Sequence, residues 1–66
     1  MSYARELRQQ RGLGVTELSH TLKLNPTTLS LAERRKLAPS KHFKEVLCKY
    51  YKVPQEQLFD MNGLAI

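Results

Sequence analysis

The spacing of apolar residues predicts two short helices in the first half of the chain. Leu18 and Leu22 stand one helical turn apart, and Leu29 and Ala32 repeat that spacing further along. The short polar stretch between the two pairs ends in Asn25, a residue that favours the position just before a helix. The pattern therefore indicates two consecutive helices joined by a tight turn.

Local signals place the start of the second of these helices. Asn25 is a good N-cap, and Pro26 suits the first helical position because the N–H that proline lacks has no partner there. The helices are then predicted at about residues 15–22 and 26–34. Two short crossed helices that share a buried stripe form a helix-turn-helix, whose second helix points its first turn toward a groove of DNA.

The rest of the pattern predicts an all-α domain. Gly12 ends a first helix as a C-cap glycine does, Ser40 caps a fourth helix with one apolar face, and Pro54 opens a short fifth helix. These three helices are expected at about residues 2–11, 41–51 and 54–59. The prediction is a compact five-helix domain with a short C-terminal tail, residues 60–66.

A series of residues in one order along the chain adds a resemblance to a known family. The series comprises Leu7-Arg8-Gln9-Gln10-Arg11-Gly12-Leu13, Glu17-Leu18, Leu22, Thr28-Leu29-Ser30, Glu33, Pro39-Ser40, Val53 and Leu58-Phe59. Over about residues 4–59 it resembles the Cro/C1-type (XRE-like) helix-turn-helix family of bacterial and phage regulators. The resemblance implies a lambda-repressor-like fold that binds operator DNA, usually as a dimer.

Length and composition restrict the class of protein. With 66 residues the chain is expected to form one domain, near the lower limit for an independent core. No apolar run approaches the ~20 residues of a membrane span, and the start lacks the apolar stretch of a signal peptide. Cys48 is the single cysteine, which excludes an internal disulfide. We therefore expect a cytoplasmic protein of the bacterial nucleoid without a membrane partner.

The positive charge is concentrated in one part of the chain. The formal net charge is +5, and residues 34–44, called the basic segment here, carry Arg34, Arg35, Lys36, Lys41 and Lys44 without any acid. A basic cluster beside a recognition helix is the footprint of phosphate contacts. The alternative is a solvated loop that happens to be basic.

The resemblance also indicates which residues face DNA. Its base-reading positions fall on Pro26, Thr27, Ser30 and Leu31, none of which makes the bidentate contacts of Arg to guanine or Gln to adenine. Readout should then lean on thymine methyl groups and DNA shape. The Asn25 cap and the first-turn amides are expected near a phosphate. The full predicted set is Val15, Thr16, Asn25, Pro26, Thr27, Thr28, Ser30, Leu31, Arg34, Arg35, Lys36 and Lys41.

Two further features follow from comparison with the family pattern. The resemblance implies that Arg8 and Glu33 form a partly buried ion pair. This pair would stabilise the fold and would not contact DNA. Lys23 and Arg35 stand at turns where the family often has glycine, and each costs on the order of 1 kcal/mol if its backbone is left-handed.

No set of residues suggests catalysis or ligand binding. His20 and His42 form no metal-binding spacing with each other or with Cys48, which reads as a small buried residue. A nucleophile–base set and a glycine-rich phosphate loop are both missing from the sequence. We expect a protein that is not an enzyme, with no cofactor, metal or small-molecule ligand.

Two functions therefore stay open. The first is an operator-binding transcriptional regulator of a small phage or mobile-element kind, acting as a weak dimer on pseudo-palindromic double-stranded DNA. The second is a protein-interaction or antitoxin-like module on the same fold. The apolar side chains expected for the dimer contact are Phe59, Met61, Leu64, Ala65 and Ile66; the alternative is that they cover the monomer's own core.

Overall fold

The computed structural model describes residues 2–66, and the all-α prediction is confirmed for this part of the chain. Its five helices are α1 (Tyr3–Gln10), α2 (Val15–Leu22), α3 (Pro26–Glu33), α4 (Lys41–Tyr51) and α5 (Gln55–Leu58). Within residues 2–66, no helix is long and apolar enough to cross a membrane.

Side-chain caps explain where the helices begin. The hydroxyl of Ser2 accepts from the amide of Arg5 at 3.2 Å, and that of Ser40 accepts from the amide of Phe43 at 3.2 Å. The predicted bounds extend one residue too far at both ends of the first and fifth helices and at the end of the third helix, because they include flanking cap residues. These residues are Ser2 and Arg11 for α1, Arg34 for α3, and Pro54 and Phe59 for α5.

Left-handed residues follow four of the helices. Gly12 has a φ of 69°, as its position after α1 predicts, whereas Lys23, Arg35 and Lys52 reach 57°, 62° and 59°. Lys23 and Arg35 were identified from the sequence as turn positions where glycine is usual. Lys52 was not identified as a third such position. Each of these three side chains costs on the order of 1 kcal/mol in this conformation.

Leucines from four helices form the centre of the core. Leu18 of α2, Leu29 of α3, Leu47 of α4 and Leu58 of α5 are each at most 1% exposed. Cys48 lies in the same cluster, and burial raises the pKa of its thiol, as expected of a core residue. The shared apolar stripe packs α2 against α3, which fixes the outward face of α3.

A buried ion pair joins α1 to the end of α3. The Nε of Arg8 lies 2.9 Å from Oε2 of Glu33, and its Nη2 lies 3.0 Å from Oε1. The Nη1 of Arg8 donates to the carbonyl of Leu13 at 2.9 Å, so one guanidinium ties α1, the following loop and α3 together. The hydrogen bonds that Arg8 donates to the Glu33 carboxylate raise the pKa of the guanidinium. Burial, followed by the nearby Glu33 carboxylate, raises the pKa of Tyr51 to about 12, so this phenol stays neutral.

The tail, residues 60–66, packs against the monomer's own core. Phe59 and Ala65 form an antiparallel bridge and are 5% and 1% exposed. The expectation that both side chains are available for a dimer contact is therefore wrong, because the chain turns at residues 60–63 and folds back on itself. Met61 is fully exposed, Ile66 is exposed and Leu64 is half-buried.

Candidate nucleic-acid interface

The start of α3 is exposed, but its amides are already bonded. The Oδ1 of Asn25 accepts from the amides of Thr27 at 2.9 Å and Thr28 at 3.1 Å, and Pro26 has no N–H. The cap therefore occupies these two amides, and the expected nearness of a phosphate to this end of the helix stays a prediction. What remains at this end of the helix is the positive end of the helix dipole and the amide group of the Asn25 side chain.

The side chains of α3 divide into a buried and an outward face. Leu29, Ala32 and Glu33 are buried. Thr27 is exposed, and Ser30 and Leu31, three and four residues further along, are half-buried. Because positions three and four apart share one face of a helix, these three side chains form one outward surface. Pro26 at its start is exposed and Thr28 is half-buried.

A shallow groove connects the first turn of α2 to the start of α3. Thr16 and Pro26, both predicted DNA contacts, line it together with His20 and Lys23. Val15, the residue before Thr16, is half-buried and packs against the core. The predicted set of DNA contacts does not include His20 and Lys23. His20 lies one turn after Thr16 on the same face of α2, and Lys23 directly follows the end of that helix.

The basic segment lies beyond the other end of α3. Arg34, Arg35, Lys36 and Lys41 are exposed. Arg35, however, uses its Nε to donate to the carbonyl of Ala65 at 2.6 Å, so this side chain is held by the tail. The Nε of Arg34 makes a long contact of 3.4 Å with the carbonyl of Ser30 on its own helix.

Negative charge is almost absent from this half of the protein. Glu33 is the single acid between Leu18 and Lys44, and it is 5% exposed and bound by Arg8. Glu17, just before this stretch, accepts from the amide of Gly14 at 3.1 Å and supports the start of α2. The outward side of α3 and the cations that directly follow it therefore carry no free carboxylate from this stretch of the chain, which favours a polyanionic partner. Lys44, at the far end of the basic segment, instead shares a groove with the exposed acids Glu56 and Asp60.

The described part of the chain offers nothing for a metal. No group of three or more His, Cys, Asp or Glu side chains in residues 2–66 is placed to hold a metal ion. The candidate site is thus built from hydroxyl, apolar and cationic side chains on α2, α3 and the basic segment.

Comparison with protein families gives a match over most of the chain. A family model described as "Helix-turn-helix domain" matches residues 2–59. Searches of curated proteins and of solved structures gave no significant match. The matched region contains all five helices and every residue of the candidate interface.

Proposed function

Because the chain belongs to this helix-turn-helix domain family, we propose that it is a sequence-specific double-stranded DNA-binding transcriptional regulator. In this proposal it is a repressor of a small phage or mobile-element kind that acts in the bacterial cytoplasm. The helix α3 enters the major groove, and the first turn of α2 and the basic segment contact the flanking phosphates.

The outward surface of α3, together with the exposed cations that directly follow it, carries this proposal. It combines a helix start with hydroxyl and apolar side chains at Thr27, Ser30 and Leu31 and a cluster of exposed cations at Arg34 and Lys36. Phosphate contacts supply most of the affinity of such a surface, and the short side chains of α3 supply a soft preference for particular base steps. An electrophoretic shift of the chain on its own upstream DNA, at low and moderate salt, tests the proposal.

Replacing Thr27 with alanine is expected to change sequence preference more than affinity for random DNA. The variant loses a hydroxyl and a methyl group that face the groove, and a lost base contact is worth about 1–3 kcal/mol of discrimination. The measurement is a comparison of binding to a selected site and to a random duplex. Thr21→Ala, an exposed threonine on α2 outside the proposed interface, is the matched control. Equal loss on both duplexes would contradict base readout by Thr27.

A two-fold dimer completes the proposal. One domain covers few base pairs, and two recognition helices about 34–36 Å apart on a pseudo-palindrome would give the site enough length. With Phe59 and Ala65 buried, the apolar side chains left for this contact are Met61, Leu64 and Ile66.

The dimer makes Met61 the residue to change. We expect Met61→Glu to weaken self-association in sedimentation and to reduce cooperative binding in a shift titration, with little effect on folding because the side chain is fully exposed. Leu37→Glu, at an exposed apolar residue of the basic segment, serves as the comparison in sedimentation alone, because an acid in this segment would itself weaken DNA binding. A wild-type chain that stays monomeric and binds DNA one copy at a time would rule out the dimer.

The protein-interaction module is the competing function, and the same shift experiment separates the two. A regulator binds duplex DNA at low salt and loses affinity steeply as salt rises. A module without a nucleic-acid partner shows no shift at either salt concentration, and the basic segment then has a different partner.

A further inference from the structure

The tail approaches the basic segment at two places. At one end the Nε of Arg35 donates to the carbonyl of Ala65 at 2.6 Å. Near the other end the backbone of Gly63 lies so close that a Cβ placed on it would be 3.5 Å from Cβ of Ala38 and 3.5 Å from Nζ of Lys44. The two contacts bracket the irregular loop that joins α3 to α4.

The tail is itself firmly attached to the helical body. The amide of Ile66 donates to the carbonyl of Leu58 at 3.0 Å, and the amide of Tyr3 donates to the carbonyl of Ile66 at 2.7 Å. Asp60 closes the turn, because its Oδ1 accepts from the amides of Asn62 at 2.8 Å and Leu64 at 3.0 Å. The tail therefore provides a fixed support for whatever packs against it.

The loop that it supports has few hydrogen bonds of its own. The amides of Arg35 and Lys36 bond back to Ala32 at 3.2 Å and Leu31 at 2.9 Å, which ends α3 and leaves residues 37–40 without regular structure. A mobile loop whose cations contact DNA phosphates loses conformational entropy when the DNA binds, whereas a loop that is already ordered does not. An outside support removes part of that cost.

We propose that the tail is a brace that holds the basic segment in its DNA-binding conformation, with Arg35 as the positioning residue that joins the two. This inference rests on the proposed DNA-binding function and assigns Arg35 a role that differs from a simple phosphate contact. The tail residues 60–66 contain no cation, so the brace affects affinity without adding to the electrostatic attraction for DNA.

Two matched glycine variants test the brace. Gly63 and Gly12 both have left-handed backbones, with φ of 81° and 69°. A Cβ placed on Gly63 would lie in ordinary contact with Ala38 and Lys44 of the basic segment, at 3.5 Å from each, whereas nothing lies within 4 Å of a Cβ placed on Gly12. Gly63→Ala and Gly12→Ala therefore introduce similar backbone strain and no change of charge. We expect Gly63→Ala to weaken binding to a labelled mixed-sequence duplex by about fivefold, equivalent to ~1 kcal/mol, with an unchanged salt slope. Gly12→Ala should bind as the wild type does.

The possible results are distinct. Equal weakening by both variants, or no weakening by Gly63→Ala, overturns the brace, and so does a shallower salt slope or a shift from dimer to monomer in sedimentation of Gly63→Ala. If the wild-type chain binds no DNA at low salt, the proposed function itself fails. If the wild type binds and only the glycine comparison fails, the regulator stands without the brace.

A second pair of variants keeps the test independent of strain at Gly63. Arg35→Lys retains the charge but removes the Nε–H that meets Ala65, and Arg5→Lys makes the same exchange on α1 at a residue whose side chain makes no hydrogen bond within residues 2–66. We expect faster hydrogen exchange at the amide of Ile66 and weaker DNA binding, about threefold, for Arg35→Lys alone. Identical behaviour of the two lysine variants overturns the positioning role.

Discussion

Replacing Glu33 with alanine is expected to lower the free energy of unfolding by about 3–5 kcal/mol. The change leaves the guanidinium of Arg8 buried without the carboxylate that it contacts at 2.9–3.1 Å, and a buried charge without a partner is costly. A domain of this size has a total stability of about 0.05–0.15 kcal/mol per residue, so the variant should be close to unfolding at ordinary temperature. Urea unfolding followed by circular dichroism measures the loss.

The control for this prediction is Glu56→Ala, which removes an exposed acid from α5 and should change stability by less than about 0.5 kcal/mol. The double variant Arg8→Ala/Glu33→Ala should lose less than the sum of the single variants, because the second change removes the charge that the first left unpaired. Strict additivity would mean that the two side chains do not stabilise each other.

Removing two cations of the basic segment should weaken DNA binding and flatten its salt dependence. In the variant Arg34→Ala/Lys36→Ala the slope of log affinity against log salt is expected to fall by about two units, close to one for each lost phosphate contact. Arg35 is left in place because its Nε holds the tail. A fluorescence titration at several salt concentrations gives the slope.

The matched control removes the same net charge from another part of the surface. Lys49 and Lys52 are exposed at the end of α4, outside the basic segment, and Lys49→Ala/Lys52→Ala should leave the slope within about half a unit of the wild type. If both double variants flatten the slope equally, overall charge and not the basic segment governs binding, and the proposed interface is wrong.

The helices could be predicted from the sequence because their signals are local. Ser2, Asn25 and Ser40 are caps that act within three residues, and the leucine spacing depends only on helical geometry. The occupied amides at the start of α3 were also predictable, since an N-cap side chain bonds the second and third amides of its helix. A phosphate near this N-terminus, which stays a prediction, would then meet the helix dipole and the amide group of the Asn25 side chain.

The path of the tail could not be predicted in the same way. Its attachment depends on partners far away in the sequence, such as Phe59 with Ala65 across a turn and Tyr3 with Ile66 across nearly the whole chain. A tail that begins polar and ends apolar has the same pattern whether it covers its own core or a second copy. The hydrogen bond of Arg35 could not be predicted for the same reason. Its acceptor is the backbone carbonyl of Ala65, 30 residues away, and nothing in the local sequence around Arg35 indicates it.

The left-handed lysine after α4 has a practical consequence for experiments on this domain. Lys52 has a φ of 59° and lies outside the proposed interface. Glycine adopts this conformation without strain but gains freedom in the unfolded chain, so the net gain in stability from Lys52→Gly should be roughly 0.5 kcal/mol. The exchange provides a slightly more stable background in which variants with small stability losses can be assayed for DNA binding, although it does not offset the loss of about 3–5 kcal/mol expected for Glu33→Ala. Destabilisation and loss of recognition, which look alike in a cell, then become separable phenotypes.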